Sequence, residues 1–554
     1  MAEVSWEDRK KHILARLAAL ENERQSWDNH CKDIAMLFQP RRSRFLSHGE
    51  KNNDGEARNF LETGYGIKRV KNLAAVMQSG ISSPSQNWFS LSVQDTRLAE
   101  VHAVKVWLDY ILRKMSHVFR RSNFYSQIQM LYAELVAFGT GVMFIEDDTE
   151  STIRCRTLTF GEYCLDMNAA GRIDTIYRRI RMTPRQIVEA WPETAPDHIR
   201  NLAEKDNYEW QEVIHAIEPN PDYREGSQNK KHRKYSSIFM MKNGDHLEIS
   251  GYFEFPVFCA RWDLTPGDVY GSSPCMDALS DCRQLQKITY DGRIGLEKNV
   301  NPPLMVTGLQ NLRVNASPGA MNPVSSLSQG HHGIQPLYMP NINFAALTQE
   351  KNEIKQDISE ALFNDLLLLI SGQDKSMTAT EVDIKNNEKL LLLGPVLHNL
   401  YFEFQLMIER VYGIMDRMGE IPEAPPEMDG QEIKVEFISI LALGQKMSGK
   451  AGIVETMTFI GQAAQLAQDP GVVDKLNVDE AINEFAAMNG VPPGMIRPDE
   501  EVAHLRQARQ QQQQMAQMME MARQGVDIAA TGAQAAREVG EMGGAQGEAN
   551  ETVQ

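Results

Sequence analysis

The run Gly444-x-x-x-x-Gly449-Lys450-Ala451 places two glycines and a lysine at the spacing that lets backbone N–H groups cradle a phosphate. It sits between a strand-like stretch, Ile433 to Leu441, and a helix-like one, Ala451 to Ala467, which is the context such a loop needs. The chemistry fails at Ala451, where a hydroxyl is required to ligate Mg²⁺ beside the β- and γ-phosphates. No apolar strand ending in a magnesium-binding Asp follows at a useful distance. The run is therefore expected to be a helix N-terminus whose small residues allow close packing, and no nucleotide cofactor is assigned.

The other chemically suggestive groups fail in similar ways. His331 and His332 are adjacent, so their side chains diverge, and no third ligand lies at a helpful spacing; no metal site is assigned. Gly139-Thr140-Gly141 follows a helical pattern instead of a strand, and Phe144 stands where a dinucleotide fingerprint needs its third glycine, so it reads as a turn. The basic run Lys230-Lys231-His232-Arg233-Lys234 lies between two strand patterns and reads as a solvated hairpin tip. Arg41, Arg42 and Arg44, just after Pro40, could touch phosphate, with a solvated loop as the simpler reading. Cys31, Cys155, Cys164, Cys259, Cys275 and Cys282 contain no C-x-x-C pair and have apolar neighbours, as reduced, buried cysteines of a cytosolic protein do. No Ser/His/Asp set, paired carboxylates or activated thiol stands out. No catalytic residue is assigned, and the chain is not expected to be an enzyme.

The elements around these groups divide the chain. Residues 5–38 read as a helix, with Ser5 and Asp8 as a capping pair and Leu14, Leu17, Trp27, Ile34 and Phe38 buried. Further helices are expected at Gly66 to Met77, Leu98 to Phe119 and Phe124 to Phe138. β-Branched or alternating runs follow at Val142–Glu146, Thr152–Phe160, Ile173–Arg181, Glu212–Ile217, Tyr235–Met241 and Tyr252–Cys259. The first half is thus α+β, helices first and an antiparallel meander after. A helix from near Pro274 to Lys298 ends at Asn301-Pro302-Pro303, because proline supplies no donor and clashes with the preceding turn. Residues 301–346 are rich in Pro, Gly, Asn and Ser, a compact insertion.

From Thr348 to Met418 the pattern is helical with two breaks. Ile354, Ile358, Leu362, Leu366 and Leu369 mark a first helix to Ile370, and the polar run Ser371 to Met377 interrupts it. A second helix, Thr378 to Met418, is broken at Gly394-Pro395. There Leu393, Leu397, Leu400, Phe404, Met407, Val411, Ile414 and Met418 follow a 3.5 repeat. A rod of roughly 60 Å results, expected to be a strut shared between neighbouring copies. Helices are expected again at Ala451–Ala467 and Val478–Met488. The Gln/Met/Ala-rich tail, with Gln510 to Gln514 in a row, reads as helical to about Val539 and disordered beyond.

Composition bounds the partners. With 554 residues and 42% hydrophobic content, several domains with real cores are expected. A net charge of −17 argues against a protein that coats nucleic acid electrostatically. The first 25 residues are charged and amphipathic, so no signal peptide is expected, and the aliphatic runs Leu366–Ile370 and Leu390–Leu393 are far short of a membrane span.

Taken in order, a set of unusual patches resembles one family. They are Asn87-Trp88-Phe89-x-Leu91, Arg261-Trp262, Tyr270-Gly271-x-Ser273-Pro274, Asn301-Pro302-Pro303, Met377-Thr378-Ala379-Thr380-Glu381-Val382, Leu393-Gly394-Pro395 and Glu409-Arg410. The chain resembles the head-to-tail connector, or portal, proteins of short-tailed podovirus-type bacteriophages, from about residue 20 to 510. The resemblance implies a homo-oligomeric ring of about twelve copies at one capsid vertex. Double-stranded DNA would pass through it, driven in by a separate terminase motor. Major capsid, scaffolding and tail or adaptor proteins would be its other partners, with no membrane. It implies a virion protein that is in the host cytoplasm during assembly.

It also implies a multidomain α+β subunit: a wing at residues 1–275, a first stem helix at 276–298, a clip at 299–346 and a second stem helix at 347–370. A channel loop at 371–377 follows, then a long kinked wing helix with a returning strand at 378–445. A helical wing or crown base at 446–497 and a crown helix with a disordered end at 498–554 complete the chain. Gln373, Asp374, Lys375 and Ser376 would be the channel-loop residues nearest DNA, Lys375 being the loop's cation and Asp374 opposing it. A non-channel scaffold or tail protein of a virion could use long shared helices too, without a central hole.

Overall fold

A computed structural model gives the fold; it describes residues 5–42, 61–85, 87–95, 97–98, 101–227, 229–307, 315, 317–324, 335–338, 343–363, 394–428, 433–437, 456–460, 462, 477–488, 491, 493–497 and 501–518. The chain forms two compact units. One comprises residues 1–96 and 110–449, the other residues 97–109 and 450–554.

In the first unit, helix α1 (Trp6–Phe38) is capped by Ser5, whose hydroxyl accepts from the Asp8 N–H. Its buried residues recur every three or four positions: Ile13, Leu17 and Leu20, then Cys31, Ile34 and Phe38. Leu14 and Trp27, expected to be buried, are half-buried, because the stripe that reaches the core is centred on Ile13 instead. α1 covers one face of a five-stranded antiparallel sheet ordered β4 (Tyr163–Met167), β5 (Ile173–Met182), β6 (Gln211–Pro219), β7 (Tyr235–Met241), β8 (His246–Tyr252). Strand alternation sends Ile214 and Ala216 to that face, with Cys164, Tyr177, Ile238 and Met240. The opposite face, through Val213, Met241 and Leu247, packs on Ile187 of helix α5 (Pro184–Ala190) and Ile199 of helix α6 (Asp197–Glu204).

A three-stranded sheet, β3 (Thr152–Leu158), β2 (Thr140–Asp148), β9 (Val257–Arg261), stands beside it. Here one expected strand is corrected: Tyr252 to Cys259 is not continuous. β8 ends at Tyr252 and β9 starts at Val257 in the other sheet, and Pro256, which has no N–H to give a ladder, lies in the gap. Helix α4 (Phe124–Phe138), buried on nearly every side, packs on β2 and on helix α2 (Tyr65–Ile81).

Trp88, just before strand β1 (Phe89–Val93), anchors an aromatic cluster. Its ring lies 4.7 Å from Phe89, 5.7 Å from Phe119 and 6.1 Å, stacked, from Phe124. Phe119 belongs to helix α3 (His102–Arg121). β1 pairs antiparallel with strand β13 (Ile433–Phe437), the described part of the expected strand to Leu441.

The long rod is described over helix α10 (Gly394–Arg417), and there the shared-strut expectation is corrected. Leu400, Phe404, Met407, Val411 and Ile414 are buried by their own chain, with Phe404 edge-on to Trp88 at 5.4 Å and 4.8 Å from Phe258 of β9. Val396, Ile408 and Met415 are buried too, so the seam is a broad stripe facing a core, wider than a two-residue coiled-coil seam. Met418 is 38% exposed. Residues 378–393 lie outside the described residues.

The helix expected from Thr348 to Ile370 is also corrected. Helix α9 runs Phe344–Ala361, and Phe363 adopts φ +51°, which closes the helix; its ring sits 5.9 Å from Trp262. In the second unit, Val478–Met488 is helical as expected, and Arg506 of the helix at 501–518 grips Asp479 with two bonds of 2.6 and 2.7 Å.

Candidate functional site

Helix α7 (Pro274–Asp277), capped by Ser273, leads directly into helix α8 (Leu279–Val300). α8 and α9 pack as a long hairpin. At their contact is Gly292, where a Cβ would lie 3.2 Å from both Leu347 and the Lys351 Nζ, so glycine sets the closeness of the two helices. Between them the chain makes a small sheet: β10 (Leu304–Thr307) pairs parallel with β11 (Met321–Val324) and antiparallel with β12 (Gln335–Pro336). This is the described part of the expected clip.

The hairpin is fastened to the body along one side. The Gln286 side chain accepts from the Glu62 and Thr63 N–H groups and donates to the Thr63 carbonyl. Arg293 bonds Glu62, and Arg283 bonds Asp33 at 2.7 Å. On α9, the Tyr65 hydroxyl donates to the Lys355 carbonyl at 3.0 Å and lies 2.6 Å from the Ser359 Oγ.

At about 100° per residue, α9 divides into arcs. Leu347, Ile354 and Ile358 lie within about 40° of one another and face α8. Lys355 and Ser359 lie on the arc that meets Tyr65. Asn352, Gln356 and Gln349 form an exposed carboxamide arc roughly opposite α8. Gln349 and Gln356 donate to Glu353 and Glu360, each at 3.0 Å, one turn on. Lys351 and Lys355, the two lysines of this helix, are both half-buried, towards Gly292 and the Tyr65 ring. The free face of α9 therefore offers donors and acceptors without a fixed cation.

Several buried ionisable groups hold the body together. His215 and Ser237 are each 1% exposed. The Arg178 Nε donates to His215 Nδ1 at 2.9 Å, so Nε2 carries the proton and donates to Ser237 Oγ at 3.0 Å. Burial, with Arg178 beside it, holds His215 well below its usual range, and burial lowers Arg178 to about 10. A neutral histidine and a serine sealed this deep cannot reach a substrate, so the trio is a sheet-interior network, with Phe239 stacked 3.7 Å from the imidazole. Burial raises all six thiols, and all six cysteines are free and buried. Among the described residues, no group of three or more His, Cys, Asp or Glu is placed to hold a metal, and no helix is long and apolar enough to cross a membrane.

The fates of the residues singled out from sequence differ. Arg42 does not offer itself to phosphate: its Nε lies 3.2 Å from the carboxylate of Glu134, which is fully buried on α4. Arg44 lies outside the described residues. Lys230–His232 form a short 3₁₀ turn between β6 and β7, with Lys230, Lys231 and Lys234 exposed; Asn220 donates to the Lys231 and Arg233 carbonyls and shapes it. Of the expected turn Gly139-Thr140-Gly141, only Gly139 turns the chain, at φ +74°; Thr140 and Gly141 already belong to β2 and pair with Arg261 and Ala260. Gln373, Asp374, Lys375 and Ser376 lie outside the described residues, as do His331, His332 and Gly444 to Ala451.

Sequence reasoning missed the Arg42–Glu134 pair. A glutamate inside the apolar run of α4 was its signal. It also missed what Arg410 does: this residue, 3% exposed, donates to the Ile145 carbonyl at 2.9 Å and reaches Glu254 at 3.3 Å, tying α10 to β2.

Residues 10–496 match the bacteriophage head to tail connecting protein family. The chain is 36% identical over 511 residues to the portal protein of Salmonella phage epsilon15, covering 90% of this chain and 91% of that one. It is 33% identical over 529 residues to the probable portal protein of Bordetella phage BPP-1, covering 94% and 95%. Among solved structures, a chain from the neck of an empty GTA particle aligns with 76% of this chain and 95% of its own at 12% identity. Its TM-score of 0.37 is too low to carry any argument. The chain belongs to the bacteriophage head to tail connecting protein family.

Proposed function

We propose that this phage portal subunit closes into a ring of about twelve copies whose α8–α9 hairpins surround a channel for double-stranded DNA. The carboxamide arc of α9 carries the reading. A wall against which DNA slides needs groups that hydrate it and must not hold phosphates, and Gln349, Asn352 and Gln356 meet both needs while Lys351 and Lys355 face away. Twelve copies at −17 each carry about −200, so the ring as a whole repels the duplex instead of gripping it. The role is structural, with the driving chemistry in a separate motor.

On the same reading, residues 276–298 and 347–370 are the stem and 299–346 the clip, where a terminase motor docks during packaging and tail or adaptor proteins dock later. Residues 1–275 and 378–445 form the wing, and 446–554 the crown and its base, towards capsid and scaffolding proteins. The loop 371–377 projects into the channel. The subunit is made in the host cytoplasm and ends at the portal vertex of the virion.

End-on negative-stain images and native mass spectrometry test the ring. About twelve copies around a hole of roughly 20 Å or more, wide enough for a duplex, are expected. A monomer or dimer under all ionic conditions refutes it, and a closed oligomer without a hole favours a non-channel scaffold. For the loop, Lys375→Ala should assemble normally and alter DNA packaging or retention. Heads that fill and hold DNA like the parent's would make Lys375 a linker residue.

A further inference from the structure

A ring built from one kind of subunit needs two different surfaces that fit each other, one on each flank of the copy. We infer that the basic side of α2 docks on the acidic arc of α9 of the next copy. This rests on the ring proposed above and names the contact that closes it.

The two surfaces lie on opposite flanks of the same hairpin. α2 contributes Lys68, Arg69 and Lys71 and contains no Asp or Glu. It meets α9 through Tyr65, which bonds Lys355 and Ser359 and carries the Arg69 guanidinium 4.7 Å above its ring. Lys68 and Lys71 are exposed. On α9, Glu350, Glu353, Asp357 and Glu360 are all exposed and span an arc of about 80°. The centre of that arc is about 160° around the helix from the Tyr65 contact. α2, with its exposed Lys68 and Lys71, therefore sits on one flank of the hairpin, and the four carboxylates lie on nearly the opposite one. The lysines of α9 that would neutralise the acidic arc are turned to other faces. Four like charges within three turns of one helix repel one another when left alone. A row of cations from a neighbouring copy relieves that repulsion, and repeating the same contact around an axis closes the ring. The carboxamide arc lies between the two flanks and stays free to face the lumen.

Charge exchange tests the contact in the full-length chain. Glu353→Lys with Asp357→Lys makes both flanks basic, and Lys68→Glu with Lys71→Glu makes both acidic. Each pair should lower the fraction of protein in rings by about tenfold or more at low salt, because like charges then face each other. All four substitutions in one chain should restore rings, and so should mixing the two double variants, which can alternate around the ring. Melting curves of the unassembled variants should match the parent's, since all four positions are exposed. Rings that form equally well in both double variants, or that stay lost in the fourfold variant, overturn this pairing while the ring itself stands. A parent chain that never forms rings removes both.

Discussion

Gly139 and Gly271 cross so closely that a Cβ on Gly271 would lie 2.5 Å from the Gly139 carbonyl oxygen. Gly139 ends α4 at φ +74° and its carbonyl accepts from the Trp262 N–H at 2.9 Å, while the Gly271 N–H donates to Thr140 Oγ1 at 2.9 Å. Two steps on, Ser273 caps α7 and donates to the Ala137 carbonyl. The crossing thus fixes where the α7–α8 segment leaves the body.

Replacing either glycine should be costly for reasons that can be separated. Gly171, at φ +77° with nothing within 4 Å of a built Cβ, gives the strain alone. Gly171→Ala should cost about 1–2 kcal/mol. Gly139→Ala adds a clash with backbone and should cost about 2 kcal/mol more. Chemical denaturation of the three proteins checks the order. Equal losses would mean that the crossing can relax.

The seam of α10 gives a second contrast. Phe404 is fully buried against Trp88 and Phe258, and Phe402, on the same helix, is 39% exposed with the Arg172 guanidinium 4.7 Å from its ring. Phe404→Ala should destabilise the unassembled subunit by about 3–5 kcal/mol. Phe402→Ala should cost about 1 kcal/mol or less. A Phe404→Ala subunit that melts normally but fails to assemble would restore the shared-strut reading.

Glu134 makes the fold sensitive to pH. Burial pushes its carboxyl up to about 7, against the opposing pull of Arg42 and the Phe160 N–H. In the unfolded chain a glutamate titrates near about 4.3. Between these values the folded chain holds a proton that the unfolded chain lacks. The group's contribution is therefore fully present below the lower value and is lost as pH rises through about 7. Burial raises Glu403 to about 7 as well, with the same sign. Relative to Glu134→Gln, the parent should lose about 2 kcal/mol between pH 5 and pH 8. Parallel denaturation profiles for the two proteins across that range would show that Glu134 stays ionised.

Local pattern carried much of the fold. The capped start of α1, both ends of α4 and the bounds of β7 follow from a serine cap, a run of apolar residues ended by glycine, and β-branched alternation. What stayed hidden depends on contacts distant in sequence. Pro256 marks a break in the strand pattern after Tyr252 but not a change of sheet; pairing of β9 with β2, over a hundred residues earlier, decides that. The apolar repeat of α10 is equally compatible with a partner copy and with a core, and the choice was made by Trp88 and β9. Arg42 reads as a loop cation until α4 brings a carboxylate beneath it. In the candidate site, the prolines that end α8 were legible. The sorting of α9 into apolar, carboxamide and acidic arcs needed the packing partner to fix which side is free.

The carboxamide arc itself can be tested by giving it the property it lacks. Gln349→Lys and Gln356→Lys place cations one above the other, two turns apart, on the free face of α9. Both positions are exposed, so each substitution should change stability by under about 0.5 kcal/mol and leave assembly intact. In a ring the added ammonium groups would face the duplex, and each that meets a phosphate steepens the salt dependence of DNA binding by about one unit of slope. The variant portal should retain DNA more tightly at low salt, package it more slowly, and return to the parent's rate as salt rises. Unchanged packaging at every salt concentration, with the ring intact, would place this arc away from the DNA.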